Sequence, residues 1–253
     1  MCTVIVAVNL SARWPIMVAT IRDEALNRTW VSAGRHWPTR YPEVIGGMDI
    51  MTAGSWLALN ERKHTLAFIV NREETPSVTT KKSRGELVLQ ELSSDNKQWS
   101  EEMVRDYPGF ILGKASANGL IIHEWNTKRL IKYQLGKGIH GISVRGVGVT
   151  HPRLDKHLPL FRHSPLPELN SKSTSQRAWG SWIKLFSNDN NFSSDHSALI
   201  WRRDIGGVLW ASQSAACIGL GHNESRFDVC NSLSRLEVWD HIPNPFNNIE
   251  REN

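Results

Sequence analysis

The chain has 253 residues, 40% of them hydrophobic and 22% charged, a normal balance for a folded protein with a large buried core. Lys and Arg outnumber Asp and Glu by 30 to 25, and because no long basic run concentrates this surplus, the composition argues against a nucleic-acid partner. The three cysteines lack the C-x-x-C spacing of a zinc site, and no apolar run is long enough for a membrane span or a signal peptide. We therefore expect a cytoplasmic protein without an integral membrane segment, a structural metal or a disulfide framework.

The first predicted element is a hairpin of buried strands that begins next to a cysteine. Cys2 precedes an apolar, β-branched run over residues 3–8, and a second apolar run over 15–19 follows a polar loop. Removal of Met1, which is usual before a small residue, gives Cys2 a free α-amine beside its thiol. The amine has an ordinary pKa of about 7.7–8.0 and can serve as the base for its own nucleophile. The alternative is that Cys2 is simply a small packed residue.

A charged cluster, Arg22-Asp23-Glu24, follows the second strand and is predicted to form a turn at the sheet rim. If the two apolar runs pair as an antiparallel hairpin, the end of the second returns to the start of the first, which brings Arg22 and Asp23 within reach of Cys2. A guanidinium beside a thiol lowers its pKa, and a carboxylate can hold an α-ammonium or a substrate amine. The alternative is a solvated turn with a surface ion pair.

The next segment predicts a second hairpin and two helices. A turn at Gly46-Gly47 leads to strands over 55–59 and 65–70. The S-x-x-E pattern that starts at Ser83 is a capping box and predicts a helix N-terminus. Residues 99–107 are expected to form a second short helix.

The remainder mixes strands and helices in blocks. Helices are predicted over 151–163 and 174–187, the second with an apolar face of Trp and Phe residues. Blocks without strict βαβ alternation favour a layered α+β sandwich. We expect a single domain over 1–242 and a loose tail over 243–253. The further predicted strands are 110–112, 120–123, 139–144, 198–201 and 208–212.

Two patterns suggest ligands but lack the context that those ligands need. Residues 136–141 match G-x-G-x-x-G, yet the following residues predict a strand, whereas a dinucleotide-binding loop opens a helix. The ten His are scattered, and His151, His157 and His163 do not share a helix face. The sequence therefore gives no metal motif, although a single axial haem ligand needs none.

Several motifs in order resemble the NRDE family, also called the transport and Golgi organisation family. They are Met1-Cys2-Thr3, Arg22-Asp23-Glu24 with Arg28, Gly46-Gly47-x-Asp49, the run 53–60, Val70-Asn71-Arg72, the run 83–86 and, more weakly, the run 138–143. The resemblance implies the N-terminal nucleophile (Ntn) hydrolase fold, a four-layer αββα sandwich of antiparallel sheets.

The same resemblance implies a cysteine amidohydrolase that needs no cofactor and acts on linear or cyclic amides. Cys2 would attack the carbonyl carbon, Arg22 and Asp23 would position the N-terminus and the substrate, and Asn71 would donate to the oxyanion. Two residues depart from the family pattern, because Ile21 and Val144 stand where the family has Asn. The residues expected to bind substrate are Glu24, Arg28, Trp56, Arg84, His140 and Ser143.

A second function implied by the family is haem trafficking, or lipid-metabolism-associated binding, without chemistry. The eleven Trp suit a flat apolar ligand such as haem, and Arg or Lys at a pocket rim can pair with its propionates. The alternative for these Trp is packing in the core.

Overall fold

The computed structural model describes residues 2–73, 82–94, 97–170, 172–187 and 194–248, which form fifteen strands and five helices. The strands are β1 (Thr3–Val8), β2 (Ile16–Ala25), β3 (Trp30–Gly34), β4 (Val44–Asp49), β5 (Leu57–Asn60), β6 (Thr65–Asn71), β7 (Phe110–Ser116), β8 (Gly119–Trp125), β9 (Leu130–Leu135), β10 (Gly138–Ser143), β11 (Gly146–Val147), β12 (Arg202–Ile205), β13 (Val208–Leu220), β14 (Ser225–Cys230) and β15 (Asp240–Ile242). The helices are α1 (Gly85–Ser93), α2 (Glu101–Val104), α3 (Pro152–His163), α4 (Ser175–Trp179) and α5 (Ser181–Leu185).

Antiparallel pairing arranges the strands in two sheets. The first sheet has the order β11-β10-β1-β2-β13-β14-β15, with β12 paired to β13, and the second has the order β3-β4-β5-β6-β7-β8-β9. The N-terminal hairpin β1-β2 lies inside the first sheet, and all six residues of β1 are buried. Its continuous apolar sequence follows from this position, because both faces of the strand are covered.

Three apolar clusters hold the layers together. One fills the space between the sheets, where Val18 and Phe68 belong to the same cluster. A second packs the first sheet against α3, α4 and α5 and includes Phe161 and Trp182. A third packs the second sheet against α1 through residues such as Leu87. This sequence of helix, sheet, sheet and helix confirms the predicted αββα sandwich of the α+β class.

The register of β1 and β2 decides which way the N-terminal side chains point. Thr3 pairs with Ile21, and side chains alternate between the two faces of the sheet. Val18 and Arg22 face the second sheet, where Arg22 meets aromatic rings. Ile21 and Asp23 face the helix layer, where Asp23 binds a helix residue. Adjacent charges therefore enter different layers of the sandwich.

The predicted turn at Arg22-Asp23-Glu24 is wrong, because these residues lie inside β2. The strand continues to Ala25, which pairs with Trp210 of β13. The pairing partner lies far along the chain, so the local pattern gave no sign of it. The prediction that the hairpin returns Arg22 to the N-terminus is nevertheless confirmed by the register.

The predicted turn at Gly46-Gly47 is also wrong, since both residues lie in the middle of β4. These glycines allow close approach. A Cβ on Gly46 would stand 2.6 Å from the carbonyl oxygen of Leu57, and one on Gly47 would stand 2.4 Å from the ring of Trp56. Glycine inside a strand here marks a contact with a neighbour, which is its other common use.

The helix predicted over 151–163 coincides with α3, whereas two other predicted helices are shorter than their sequence patterns. The segment 174–187 divides into α4 and α5 at Gly180, whose φ of 52° no continuous helix accepts. The helix expected over 99–107 is the single turn α2. The capping box at Ser83 does not form, because Arg84 is the N-cap of α1 and Ser83 Oγ accepts from the Gly85 N–H at 3.4 Å.

The strand predictions 65–70, 110–112, 120–123, 139–144 and 208–212 coincide with β6, β7, β8, β10 and β13. The strand predicted over 55–59 begins only at Leu57, and that over 198–201 is irregular, buried chain that leads to β12. The glycine pattern at 136–141 leads into β10, so the strand predicted there is confirmed.

The C-terminal segment is attached as far as it is described. Asn244 donates to the carbonyl oxygen of Glu61 at 2.8 Å, and the Asn248 N–H donates to the carbonyl of Asn223 at 2.8 Å. These contacts anchor residues 243–248 of the predicted tail, and residues 249–253 lie outside the described ranges. Among the described helices, none has both the length and the apolar character that a membrane crossing requires.

Candidate active site

Cys2 immediately precedes β1. It lies one residue beyond the pair formed by Thr3 and Ile21, at the level of Arg22 in β2. It packs against the cluster between the sheets and is partly exposed, whereas Cys217 and Cys230 are buried. Met1 lies outside the described residues. The geometry expected from the hairpin is therefore present: the thiol, the guanidinium and the backbone of Asp23 lie at one end of the first sheet.

Burial raises the pKa of the Cys2 thiol, and this outweighs the neighbouring groups that favour the thiolate. The Asp23 carboxylate raises this pKa further, whereas the Arg22 guanidinium and a hydrogen bond from the Asp23 backbone N–H lower it. Arg22 therefore acts in the expected direction, but the net shift is upward. A thiol held protonated in this way needs a base before it can attack.

Arg22 is buried between aromatic rings. Its guanidinium carbon lies 4.3 Å from the ring centroid of Trp56 and 5.5 Å from that of Trp30. Its Nη1 donates to Gln213 Oε1 at 3.0 Å, and Glu24 lies 3.8 Å from its Nη2. Burial lowers the pKa of Arg22, but because an arginine side chain remains charged in proteins, this is a fixed cation beside the thiol.

A β-bulge supplies the Gln213 contact. The pairing of β13 with β2 shifts between Ser212, which is opposite Asp23, and Ser214, which is opposite Arg22. Gln213 is the extra residue, and its amide donates to the carbonyl of Ala25 at 2.8 Å while its oxygen accepts from Arg22. A bulge redirects side chains in this way.

Asp23 lies on the opposite face of the sheet in a polar, buried environment. Its Oδ2 accepts from Arg153 Nη1 at 2.7 Å, and its Oδ1 accepts from the hydroxyl of Ser212 at 2.6 Å. The same Arg153 Nη1 lies 2.7 Å from Thr3 Oγ1, and Arg153 Nε donates to the carbonyl of Ala198 at 3.0 Å. Arg153 thus ties α3 to both strands of the N-terminal hairpin.

A cavity of about 330 Å³, which we call the Arg22 cavity, opens between the ends of the sheets and the start of α1. Cys2 and Arg22 line it. Four of the residues predicted to bind substrate also line it, together with Asn71, the expected oxyanion donor at the end of β6. Those four residues are Glu24, Arg28, Trp56 and Arg84.

Ion pairs and hydrogen bonds fix the cations of the Arg22 cavity. Arg28 pairs with Asp49, and Arg84 Nη1 donates to the carbonyl of Gly109 at 2.9 Å. Burial by itself would raise the pKa of Asp49, but hydrogen bonds from Arg28 and Thr52 hold it below its ordinary value. The cavity wall is therefore a set of ordered charges around the thiol.

A second cavity of about 430 Å³ lies on the helix side of Cys2. We call it the Arg203 cavity. Cys2 and Asp23 line both cavities, so the thiol stands where they meet. The other residues that line the Arg203 cavity are Thr3, Glu73, Val144, Arg145, His151, Pro152, Arg153, His196, Trp201, Arg203, Asp204 and Ile205.

Two of the predicted binding residues lie apart from both cavities. His140 pairs with Val6 in the middle of β1, and its Nε2 lies 2.8 Å from the carbonyl oxygen of Gly136. Ser143 is buried, and its hydroxyl accepts from the Arg145 N–H at 3.3 Å. Among the described residues, neither side chain is part of the wall of the Arg22 or the Arg203 cavity.

The two departures from the family pattern occupy apolar surroundings. Ile21 is buried against the helix layer, and Val144 belongs to the cluster between the sheets while lining the Arg203 cavity. Both positions therefore contribute packing, and neither supplies a side-chain amide to the site.

Sequence reasoning missed Arg153, Ser212 and Gln213. All three reach the site from segments more than a hundred residues beyond Arg22, through α3 and the bulge of β13. The only local signal was Pro152 in the first turn of α3, which marks a helix start but not the direction of the next side chain.

Most tryptophans pack in the core, as the alternative interpretation holds. Trp56 lines the Arg22 cavity, Trp30 contacts the Arg22 guanidinium, and Trp201 lines the Arg203 cavity. In the described ranges, no group of three His, Cys, Asp or Glu side chains is placed to hold a metal ion. The seven buried tryptophans of the described ranges are Trp14, Trp37, Trp125, Trp179, Trp182, Trp201 and Trp239.

Comparison with solved structures finds 31 similar chains, and three of them are the following. The C2A mutant of conjugated bile acid hydrolase from Clostridium perfringens is 12% identical, with 100% of both chains covered and a TM-score of 0.45. Penicillin V acylase from Agrobacterium tumefaciens is 14% identical over 91% of this chain and 83% of that chain, with a TM-score of 0.41. The Caenorhabditis elegans ortholog of N-acylethanolamine-hydrolyzing acid amidase is 11% identical over 85% and 92%, with a TM-score of 0.42. With TM-scores below 0.5, no activity or substrate follows from these similarities.

Sequence comparison assigns the family. No curated protein matches the chain. The family model described as Transport and Golgi organisation 2 matches residues 1–204, which include Cys2, the Arg22-Asp23 pair, Asn71 and Arg153. The resemblance inferred from the motifs is therefore confirmed, and the chain belongs to the Transport and Golgi organisation 2 family.

Proposed function

We propose that the protein is a cytoplasmic cysteine amidohydrolase, with Cys2 as an N-terminal nucleophile that cleaves the C–N bond of a small linear or cyclic amide. One observation carries the proposal: the thiol of Cys2 lies at the junction of two cavities, between the Arg22 guanidinium and the backbone N–H of Asp23. The thiol is partly exposed and next to a cavity, and the Arg22 cation favours its thiolate form. These are the surroundings of a reactive cysteine.

The reaction begins once Met1 has been removed. The α-amine of Cys2 takes the thiol proton, and the sulfur attacks the carbonyl carbon to form a tetrahedral intermediate. The α-ammonium then gives this proton to the leaving nitrogen, the C–N bond breaks and a thioester remains on Cys2. Water attacks the thioester with the amine again as base, which releases the carboxylic acid and restores the thiol.

The upward shift of the thiol pKa is consistent with this division of labour. Because burial keeps the proton on sulfur, the thiolate forms only when the adjacent amine accepts the proton in the step of attack. Arg22 and the Asp23 N–H then stabilise the negative sulfur. The proposal thus assigns Arg22 to charge stabilisation and Asp23, held by Arg153 and Ser212, to positioning of the N-terminus.

Asn71 is proposed to donate its side-chain amide to the oxyanion. It ends β6 and lines the Arg22 cavity with Cys2. A donor aimed at a developing oxyanion is worth about 2.7–4 kcal/mol in the barrier. Glu24, Arg28, Trp56 and Arg84 then form the walls that bind the substrate.

Labelling of the mature chain tests the proposal. Intact mass first establishes whether Met1 is absent, and a thiol-directed acyl probe is then applied to the chain and to Cys2→Ala. We expect the probe to acylate the chain at Cys2 and not to acylate Cys2→Ala, while both unfold at the same temperature. The matched controls are Cys217→Ala and Cys230→Ala, which should keep the labelling. Burial raises the pKa of Cys230 to about 11 and raises that of Cys217 well above its ordinary value. Equal labelling of the chain and Cys2→Ala would contradict the proposal.

A second candidate is haem binding without chemistry, and one observation favours it. His151, His196 and Trp201 all line the Arg203 cavity, so imidazoles that can serve as axial ligands and an indole ring occur at one site. Haem titration tests this candidate. A Soret band that is lost in His151→Ala but kept in Cys2→Ala would support it, and a titration without any band would exclude it.

A further inference from the structure

Three arginines and three carboxylates line the Arg203 cavity, and among the described residues Arg203 is the arginine that forms no ion pair with them. Arg153 is paired with Asp23, and Arg145 lies 3.5 Å from Glu73 at the exposed rim. Arg203 contacts the ring of His196 through Nη1, and within the described ranges its Nε is buried without a hydrogen-bond partner. Arg203 thus brings a guanidinium to this cavity without a carboxylate bonded to it.

His151 adds a second polar group at the same wall. It is the N-cap residue of the twelve-residue helix α3, and its side chain makes no capping hydrogen bond in the described structure. The helix N-terminus therefore adds its partial positive charge to that of Arg145 and Arg203. Burial lowers the pKa of His151, and the nearby Arg153 and Arg145 lower it further. Burial also lowers the pKa of Arg203, and Arg153 is the next cause.

Apolar side chains form another part of the wall, beside the carboxylate of Asp204. Trp201 is stacked under Arg203, whose guanidinium carbon lies 4.3 Å from the ring centroid, and Val144, Pro152 and Ile205 also line the cavity. A ligand that fits both parts has an anionic end and an apolar body. A carboxylate suits the planar guanidinium better than a spherical anion does, because two parallel N–H donors match its two oxygens.

We propose that the Arg203 cavity is a binding site for a small carboxylate with an apolar body, held by Arg203 and Arg145 and reaching Cys2 at its inner end. This assignment rests on the proposed function, because it describes the substrate of that reaction. The substrate is an amide that carries a carboxylate on the half that enters the Arg203 cavity, while the other half lies in the Arg22 cavity. Cys2 and Asp23, which line both cavities, stand at the position of the scissile bond.

Calorimetric titration tests the site independently of catalysis. Phenylacetate, its neutral isostere phenylacetamide and inorganic phosphate are titrated into Cys2→Ala, in which no acylation can occur. We expect phenylacetate to bind and phenylacetamide to bind about tenfold more weakly, since the amide lacks the charge-assisted contact. No binding of phenylacetate, equal binding of the amide, or binding of phosphate alone would each overturn the assignment.

Variants locate the binding. Both variants are made in the Cys2→Ala chain. Arg203→Gln is expected to weaken phenylacetate binding about tenfold, and Arg145→Gln about threefold. The effect of Arg145 is smaller because this side chain is more exposed and already forms an ion pair with Glu73. The matched control is Arg177→Gln on the exposed side of α4, which should bind as the parent does. Unchanged affinity in both cavity variants would overturn the site. If Cys2 is acylated but phenylacetate does not bind, the proposed function stands and this binding site is wrong. If phenylacetate binds but Cys2 is never acylated, the binding site stands and the proposed function is wrong.

Discussion

Arg22 and Asp23 are neighbours on one strand, yet the two faces of the sheet give them opposite surroundings. Arg22 lies against two indole rings with one amide oxygen as its close partner. Asp23 is bound by a guanidinium and a hydroxyl in a polar, buried network. Because side chains alternate along a β-strand, one strand can place a cation beside the nucleophile on one face of the sheet and an anion on the opposite face.

The largest expected effect comes from removing the partner of Asp23. Arg153→Leu removes the guanidinium that pairs with the buried carboxylate of Asp23, so we expect a loss of about 3–5 kcal/mol in the free energy of unfolding. Urea unfolding monitored by fluorescence measures it. The double variant Arg153→Leu with Asp23→Leu is the control, because it removes the unpaired charge and should recover much of the loss. A loss below about 1 kcal/mol in the single variant would show that the pair is not structurally important.

The next largest effect concerns the cavity on the Arg22 face. Asn71→Ala is expected to slow acylation of Cys2 by the acyl probe about a hundredfold to a thousandfold, through loss of the oxyanion donor. Alkylation of the same thiol by iodoacetamide forms no oxyanion and should keep its rate. Equal slowing of the two reactions would show that Asn71 shapes access to Cys2 and does not act on the oxyanion.

Replacing Arg22 separates its charge from its packing. Arg22→Leu removes a group that lowers the pKa of the Cys2 thiol, so this pKa should rise further above its ordinary value and the pH profile of alkylation should move to higher pH. Arg22→Lys keeps the charge and should leave the profile nearer to that of the parent. Loss of the cation–π contacts should cost Arg22→Leu about 1–2 kcal/mol of stability. An unmoved profile in Arg22→Leu would show that the guanidinium does not act on the thiol.

The smallest effect at neutral pH lies in the second sheet, away from both faces of β2. Burial lowers the pKa of His123 to about 4. Below a pH of about 6.5 the unfolded chain binds a proton that the folded chain refuses, so stability falls by about 1.4 kcal/mol per pH unit between about 6.5 and 4. His123→Gln should flatten this slope, as measured by urea unfolding between pH 4 and 7. An identical slope in the variant would assign the acid sensitivity to other groups.

Local pattern was sufficient for the hairpin that carries the site. The apolar run over residues 3–8 had to be buried on both faces, and the two-strand register alone places Arg22 beside Cys2. Local pattern failed where the partner is distant. The extension of β2 through Arg22, Asp23 and Glu24 depends on pairing with β13, nearly two hundred residues later, and the glycines at 46–47 read as a turn until Trp56 is placed against them.

The sequence by itself determined the family through its motifs, and the αββα layering as what that resemblance implies. It also determined the proximity of Cys2 to the Arg22-Asp23 pair, because strand alternation and hairpin register are local properties of the backbone. Only the tertiary structure decided what each charge meets. Arg153 arrives from α3, Gln213 and Ser212 arrive from the bulge in β13, and the thiol comes to stand between two cavities. Burial then set the net direction of the Cys2 pKa, since desolvation depends on all the layers packed around the thiol and on no single neighbour in the chain.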